Sequence, residues 1–195
     1  MTIAGIIEEH IAIPAGVTVS LDGNVLSVKG PKGELSRTFS HPRVKLAIAD
    51  GTVKASCEYP RIREKAMVGT YAAHIRNMFK GVTDGFTYGL KIVFSHFPMK
   101  VTVNDKERRV EVNNYMGGHA TRYAAIIGQE TKVKISGADI TVIGISIEDV
   151  GQTAANMEKA TTRGGFDKRV FEDGIYITHK SHKVKESAKD RKSVV

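Results

Sequence analysis

Val68–Gly69–Thr70–Tyr71–Ala72–Ala73 returns as Val150–Gly151–Gln152–Thr153–Ala154–Ala155, 82 residues further along the chain. Both copies sit in stretches of helical spacing. In the first, Val68, Ala72, Ile75 and Phe79 recur along one face, widened by Met67, Tyr71 and Met78. In the second, Val150, Thr153, Ala154 and Met157 do the same, after a Ser146-x-x-Asp149 spacing suited to a helix start. Gly81 and the Gly164–Gly165 pair are the expected helix stops, because glycine tolerates left-handed backbone.

Upstream of each helix the period changes to two. Val17, Val19 and Leu21 alternate with Thr18 and Ser20 up to a turn at Asp22–Gly23–Asn24. Leu26 and Val28 continue to Gly30–Pro31–Lys32–Gly33, and Leu35, Arg37 and Phe39 follow. Val44, Leu46, Ile48 and then Val53, Ala55, Cys57 complete an antiparallel meander. The second half repeats the plan. Val101 and Val103 match Val17 and Val19 at an offset of 84, which Gly33 and Gly117 share. Val110 and Val112 resume the alternation, then Val133 and Ile135 alternate with Lys132 and Lys134, and Ile140 and Val142 follow. Strands then a helix, twice, predict an α+β fold of two tandem similar domains. Each is an antiparallel or mixed sheet with one packed helix, and a basic C-terminal tail follows. The expected divisions are 1–84, 85–178 and 179–195, with Leu90 to Phe94 a candidate crossing between the copies and Phe171–Tyr176 the closing strand.

Charge selects the class of partner. The chain of 195 residues carries 29 Lys and Arg against 21 Asp and Glu, a net +8. The excess is uneven: +5 over residues 1–100, −1 over 101–178 and +4 over 179–195. A basic balance of this size favours anionic partners. The N-terminal residues have neither a basic leader nor a long apolar core, and no apolar run approaches the ~20 residues of a membrane span. No membrane association is expected. The single Cys57 lies in an alternating stretch and reads as a buried strand residue.

Catalytic patterns are absent from the sequence. Gly30–Pro31–Lys32–Gly33 lacks the Gly-Lys-Ser/Thr ending with which a phosphate loop holds nucleotide and magnesium, and reads as a hairpin turn. His179 and His182 have no cysteine or carboxylate pair nearby to complete a metal site. No cofactor is expected. Three basic stretches are the candidate RNA contacts. Arg163, Lys168 and Arg169 surround Gly164–Gly165 and Phe166, where glycine lets backbone approach a phosphate that the cations neutralise. His96 and Lys100 belong to Ser95–His96–Phe97–Pro98–Met99–Lys100. Lys180 and Lys183 open the tail, which continues with Lys185, Lys189, Arg191 and Lys192.

Several stretches together resemble one known family. They are Ile13–Pro14–Ala15–Gly16–Val17, then Val28 to Leu35 (VKGPKGEL), Ile92 to Pro98 (IVFSHFP), Val150 to Asn156 (VGQTAAN) and Asp167 to Tyr176 (DKRVFEDGIY). The chain resembles the family of the sixth universal large-subunit ribosomal protein, called protein nine in eukaryotic large subunits, over roughly residues 5–180. The SHFP and DGIY stretches resemble its archaeal and eukaryotic members rather than the bacterial ones, which carry a Tyr-Lys-Gly-Lys-Gly segment missing here. The resemblance implies two similar α+β domains and a structural, non-enzymatic constituent of the large subunit. It implies binding to large-subunit ribosomal RNA, chiefly through the second domain, near the sarcin–ricin loop and the factor-binding region. Neighbouring large-subunit proteins, nearby translation factors, a cytoplasmic location and, for a eukaryotic source, nucleolar assembly follow from the same resemblance. The alternative is a free RNA-binding or ribosome-assembly factor of the same fold.

Overall fold

The computed structural model describes residues 5–49, 51–95, 97–162, 165, 167 and 170–180. The chain packs as two compact units, Met1–Gly85 with Ile145–Ile147, and Phe86–Gly144 with Glu148–Val195.

In the first unit six strands form two antiparallel three-stranded sheets. The strands are β1 (Ile6–Ala12), β2 (Thr18–Asp22), β3 (Val25–Gly30), β4 (Gly33–Thr38), β5 (Lys45–Ala49) and β6 (Thr52–Glu58). One sheet has the order β2-β3-β4, the other β1-β6-β5. The Asp22–Gly23–Asn24 turn closes the first hairpin in register Asp22↔Val25, with Gly23 at φ 58°. Pro31 and Lys32 close the next, Gly30 pairing with Gly33. Helix α1 (Ile62–Thr83) packs on β1, β3, β4 and β6. Its buried stripe is the sequence stripe, with Val68, Ala72, Ile75 and Val82 almost fully enclosed. Phe39 meets Tyr71 edge-on at 4.8 Å, and Cys57 is buried on β6 as expected.

Two features of this unit escaped the sequence reading. Strand β1 was not foreseen, because the Ile6–Ile7 and Glu8–Glu9 pairs blur its alternation. Helix α1 also does not stop at Gly81. It continues to Thr83, and Gly85 at φ 73° takes the left-handed position, its N–H and that of Asp84 both donating to the Lys80 carbonyl. Burial of Val82 outweighs the cost of about 1 kcal/mol for a glycine inside a helix.

The second unit follows the same plan. Its strands are β7 (Phe86–Val93), β8 (Lys100–Asn104), β9 (Arg109–Asn113), β10 (Arg122–Ala125), β11 (Lys132–Ser136), β12 (Asp139–Gly144) and β13 (Gly174–His179). The order β10-β9-β8 matches β4-β3-β2, and β11-β12-β7 matches β5-β6-β1, with β13 added outside β7. Helix α2 (Ile147–Ala160) buries Val150, Thr153, Ala154 and Met157, the expected face. The α+β class with two similar domains is therefore the observed one, each domain holding two sheets rather than one.

Local expectations here need correction. Leu90 to Val93 lie in β7, an inner strand of this unit's own four-stranded sheet, hydrogen-bonded to β12 and β13. Helix α2 ends at Ala160, ahead of the Gly164–Gly165 pair, where the Thr161 and Thr162 hydroxyls donate back to the Glu158 carbonyl. The closing strand begins at Gly174, not Phe171, because Phe171 and Val170 direct their N–H groups to the Asp167 carbonyl in a turn. Gly33 and Gly117 do not share a turn type: Gly33 closes a two-residue hairpin, whereas Gly117 ends the short 3-10 turn Tyr115–Gly117.

Candidate nucleic-acid interface

Strand pairing sorts the second unit's four-stranded sheet into two faces, because side chains alternate with period two. Phe86, Tyr88, Leu90, Ile92, Ile140, Val142 and Ile175 form the buried face. The opposite face carries Lys132 and Lys134 on β11, paired with Ile143 and Thr141 on β12. Lys91 on β7 lies between Asp139 and Tyr176, and His179 pairs with Gly89 after a bulge in β13. Lys91, Lys132, Lys134, Tyr176 and His179 are all exposed, and exposed Lys180 follows directly. An ideal Cβ on Gly89 would meet His179 Cβ at 3.4 Å, so the missing side chain at Gly89 lets His179 pack close against β7. Three lysines and one exposed tyrosine against the single carboxylate of Asp139 make this face cationic, with one ring on which a base can stack.

The neighbouring sheet adds a second polar face. Lys100, Thr102, Arg109, Glu111 and Asn113 share it with Tyr123, the cross-strand partner of Glu111. Lys100 is exposed and Tyr123 is 55% exposed, with the Arg109 guanidinium 4.3 Å from its ring centroid. Arg109 is also paired with Glu107 and, at 3.1 Å, with Glu111, so much of its charge is answered locally. Strand β8 runs close to β11, which brings the strand of Lys100 alongside that of Lys132 and Lys134. Arg122 is a structural cation: it stacks on Tyr115 and donates to the Ala160 carbonyl at the end of α2.

Of the residues singled out in the sequence, Lys100 and Lys180 fall within this unit, both exposed. Arg163, Lys168, Arg169, His96 and Lys183 lie outside the described residues. Gly165 has φ 85°, and the Asp173 carboxylate accepts the Ser95 N–H, joining the flank of one candidate stretch to the flank of the other. A cavity of 210 Å³ is lined by Tyr115, Thr161, Phe171, Asp173 and Tyr176. Lys91, Lys132, Lys134, Tyr176 and His179 were missed as a group. Their signal was the alternation of Lys132 and Lys134 with Val133 and Ile135, which marks one strand but not its neighbours.

Among the described residues no group of three His, Cys, Asp or Glu could hold a metal ion, and no helix is long and apolar enough to cross a membrane. Burial raises the phenol pKa of Tyr88 and of Tyr71. Both rings are packed in cores rather than placed at a reactive centre.

Known proteins resemble this chain along nearly all of it. The family model described as ribosomal protein L6 matches residues 13–85. A protein of Methanobrevibacter smithii named large ribosomal subunit protein uL6 is 47% identical over 180 residues, covering 92% of this chain and 99% of its own. Proteins of the same name from Methanosarcina mazei and Staphylothermus marinus are 48% and 49% identical. These alignments cover 90% and 88% of this chain and 98% and 93% of the relatives.

Proposed function

Because the chain belongs to the ribosomal protein L6 family, we propose that it serves as a structural constituent of the large ribosomal subunit, binding ribosomal RNA and contacting neighbouring ribosomal proteins. The observation that carries this reading is the identity of 47% to a named large-subunit protein across 92% of the chain, which spans both units. Its relatives are named as ribosomal proteins and not as enzymes, and its place is the ribosome of the cytoplasm.

The RNA contact falls on the second unit, near the sarcin–ricin loop and the factor-binding region, with translation factors passing close by. The exposed cations and Tyr176 on its sheet face support this, since phosphate neutralisation supplies most sequence-independent affinity. Arg163, Lys168, Arg169, His96, Lys100, Lys180 and Lys183 are the proposed contact residues. In a eukaryotic cell, assembly would pass through the nucleolus. Sedimentation of a tagged copy through a salt gradient tests the reading. Cosedimentation with the large subunit is expected, and release from it at physiological salt would instead favour a free assembly factor.

A further inference from the structure

We propose that the first unit carries an RNA contact of its own, a cationic patch around Tyr59 and Ile62 that takes a single-stranded RNA segment with one base unstacked. The inference rests on the RNA-binding reading above and extends it to a surface on the other unit.

Tyr59 is 69% exposed and Ile62 90% exposed, the two most exposed large apolar side chains of the described residues. The backbone at Tyr59 has φ 45°, a conformation that bulky residues rarely adopt. It is held there from both sides. The Tyr59 N–H donates to the Gly5 carbonyl at 2.8 Å, and the Arg43 guanidinium donates to the Tyr59 carbonyl at 3.4 Å. The ring is thus presented to solvent from a fixed backbone, on β6's exit, rather than from a free loop.

Cations share its concavity and follow it in the chain. Arg43, Lys45, Ser56, Glu58 and Tyr59 line an open concavity of 240 Å³. That is below the roughly 300–1,000 Å³ of ligand and cofactor pockets. Arg61, Arg63 and Lys65 follow in the chain, all exposed. Five cations therefore meet two carboxylates, Glu58 and Glu64. Glu64 is already engaged by Arg43 at 3.1 Å and by the Arg61 N–H at 2.8 Å. Beyond Ile62 the outward face of α1 continues with exposed Ala66, Gly69 and Ala73, and nothing lies within 4 Å of a Cβ placed on Gly69. This leaves a low ridge along which a phosphodiester strand can run between Arg63 and Lys65. A protein partner covering Tyr59 and Ile62 would have to desolvate the same cations. An RNA strand neutralises them while its base stacks on the ring.

The test uses the full chain and two probes, a fluorescein-labelled 12-nucleotide single-stranded RNA of mixed sequence and naked large-subunit ribosomal RNA. The variants are Tyr59→Leu, Tyr59→Phe, the triple Lys45→Gln, Arg63→Gln, Lys65→Gln, and the second-unit pair Lys132→Gln, Lys134→Gln, each checked for an unchanged thermal transition. Tyr59→Leu keeps apolar bulk without a π face and should weaken 12-mer binding by roughly 5- to 150-fold, the effect of losing one stacked base. Tyr59→Phe should bind as the parent does. The triple variant should lower the slope of log affinity against log salt by about 2. Parent-like 12-mer binding by both Tyr59→Leu and the triple variant would overturn the proposal. So would parent-like RNA binding by tagged copies of these variants that cosediment poorly with the large subunit in a salt gradient, which would assign the patch to a protein neighbour. Failure of the parent chain to bind ribosomal RNA at all would instead remove the broader reading. Loss confined to the Lys132 and Lys134 variant would remove this one alone.

Discussion

The carboxylate of Asp173 accepts the backbone N–H of Ser95, joining two points 78 residues apart in the chain. Ser95 opens the loop after β7, and Asp173 precedes β13, which pairs with β7. The bond holds the loop's start against the entry of its neighbour strand. Asp173 is 4% exposed, so the acceptor is desolvated. Replacing it with Ala should lower stability by about 1.5–3 kcal/mol, the range for hydrogen bonds to charged groups. Chemical denaturation measures the loss. Amide exchange at Phe94 and Ser95 should accelerate beyond the global change, and parent-like protection there would mean that the carboxylate does not hold the loop.

A second long-range bond runs from the Ile175 N–H to the buried hydroxyl of Thr161, at 2.9 Å. It ties β13 to the residue that follows α2. Thr161→Val conserves shape and removes the acceptor, so a buried N–H is left unpaired at a cost of about 1–3 kcal/mol. Thr161→Ser should retain most of the stability. Equal denaturation midpoints for the Val and Ser variants would show that shape, not the hydrogen bond, matters here.

Gly30 ends β3 against α1. A Cβ at this position would lie 2.7 Å from Val82 Cγ2 and 2.9 Å from the Val82 carbonyl oxygen. The second contact is with backbone and cannot be relieved by a rotamer change. Gly30→Ala should destabilise the first unit by about 1–3 kcal/mol through overpacking. Adding Val82→Ala should not restore stability, and full rescue by that change would place the clash in the side chain alone.

Two opposite titrations bound the stability profile. The Glu64 carboxyl is held below its ordinary value of 4.5 by its own backbone N–H, then by the Arg61 N–H and the Arg43 guanidinium. A lowered folded pKa contributes stability that is complete above 4.5 and lost as pH falls through the folded value. Tyr71 and Tyr88 are raised above 10.0 by burial, so their contribution is complete below 10.0 and lost as pH rises through the folded values. Melting temperatures across pH should therefore fall less in acid for Glu64→Gln and less in alkali for Tyr71→Phe than for the parent. Superimposable pH profiles would contradict both assignments.

Neutralising Arg163, Lys168 and Arg169 to Gln should reduce RNA affinity at fixed salt more than neutralising Lys29 and Lys32. Lys32 has an internal partner, the Asp84 carbonyl oxygen, to which its ammonium donates. It is thus partly committed to its own unit. Equal losses, or a larger loss from the Lys29 and Lys32 pair, would move the RNA surface to the first unit's hairpin.

Local periodicity determined much of this protein without any tertiary information. The duplicated Val-Gly-x-x-Ala-Ala helices, the Asp22–Gly23–Asn24 hairpin and the buried stripe of Val68, Ala72, Ile75 and Phe79 are properties of neighbouring residues, so they are legible in one dimension. Helix ends are less so: Gly81 and Gly85 look alike in sequence, and only the burial of Val82 decides between them. Strand β1 needed its pairing with β6 to be seen, because half-buried Glu9 on its inner side is answered by Arg76 of α1, 67 residues away. The candidate RNA face is the extreme case. Lys91, Lys132, Lys134, Tyr176 and His179 come from three strands, and no spacing between them in the sequence relates one to another. Charge along the chain could suggest an anionic partner, but strand register decides which side chains share a face, and register is set by long-range hydrogen bonds and core packing that the linear sequence does not display.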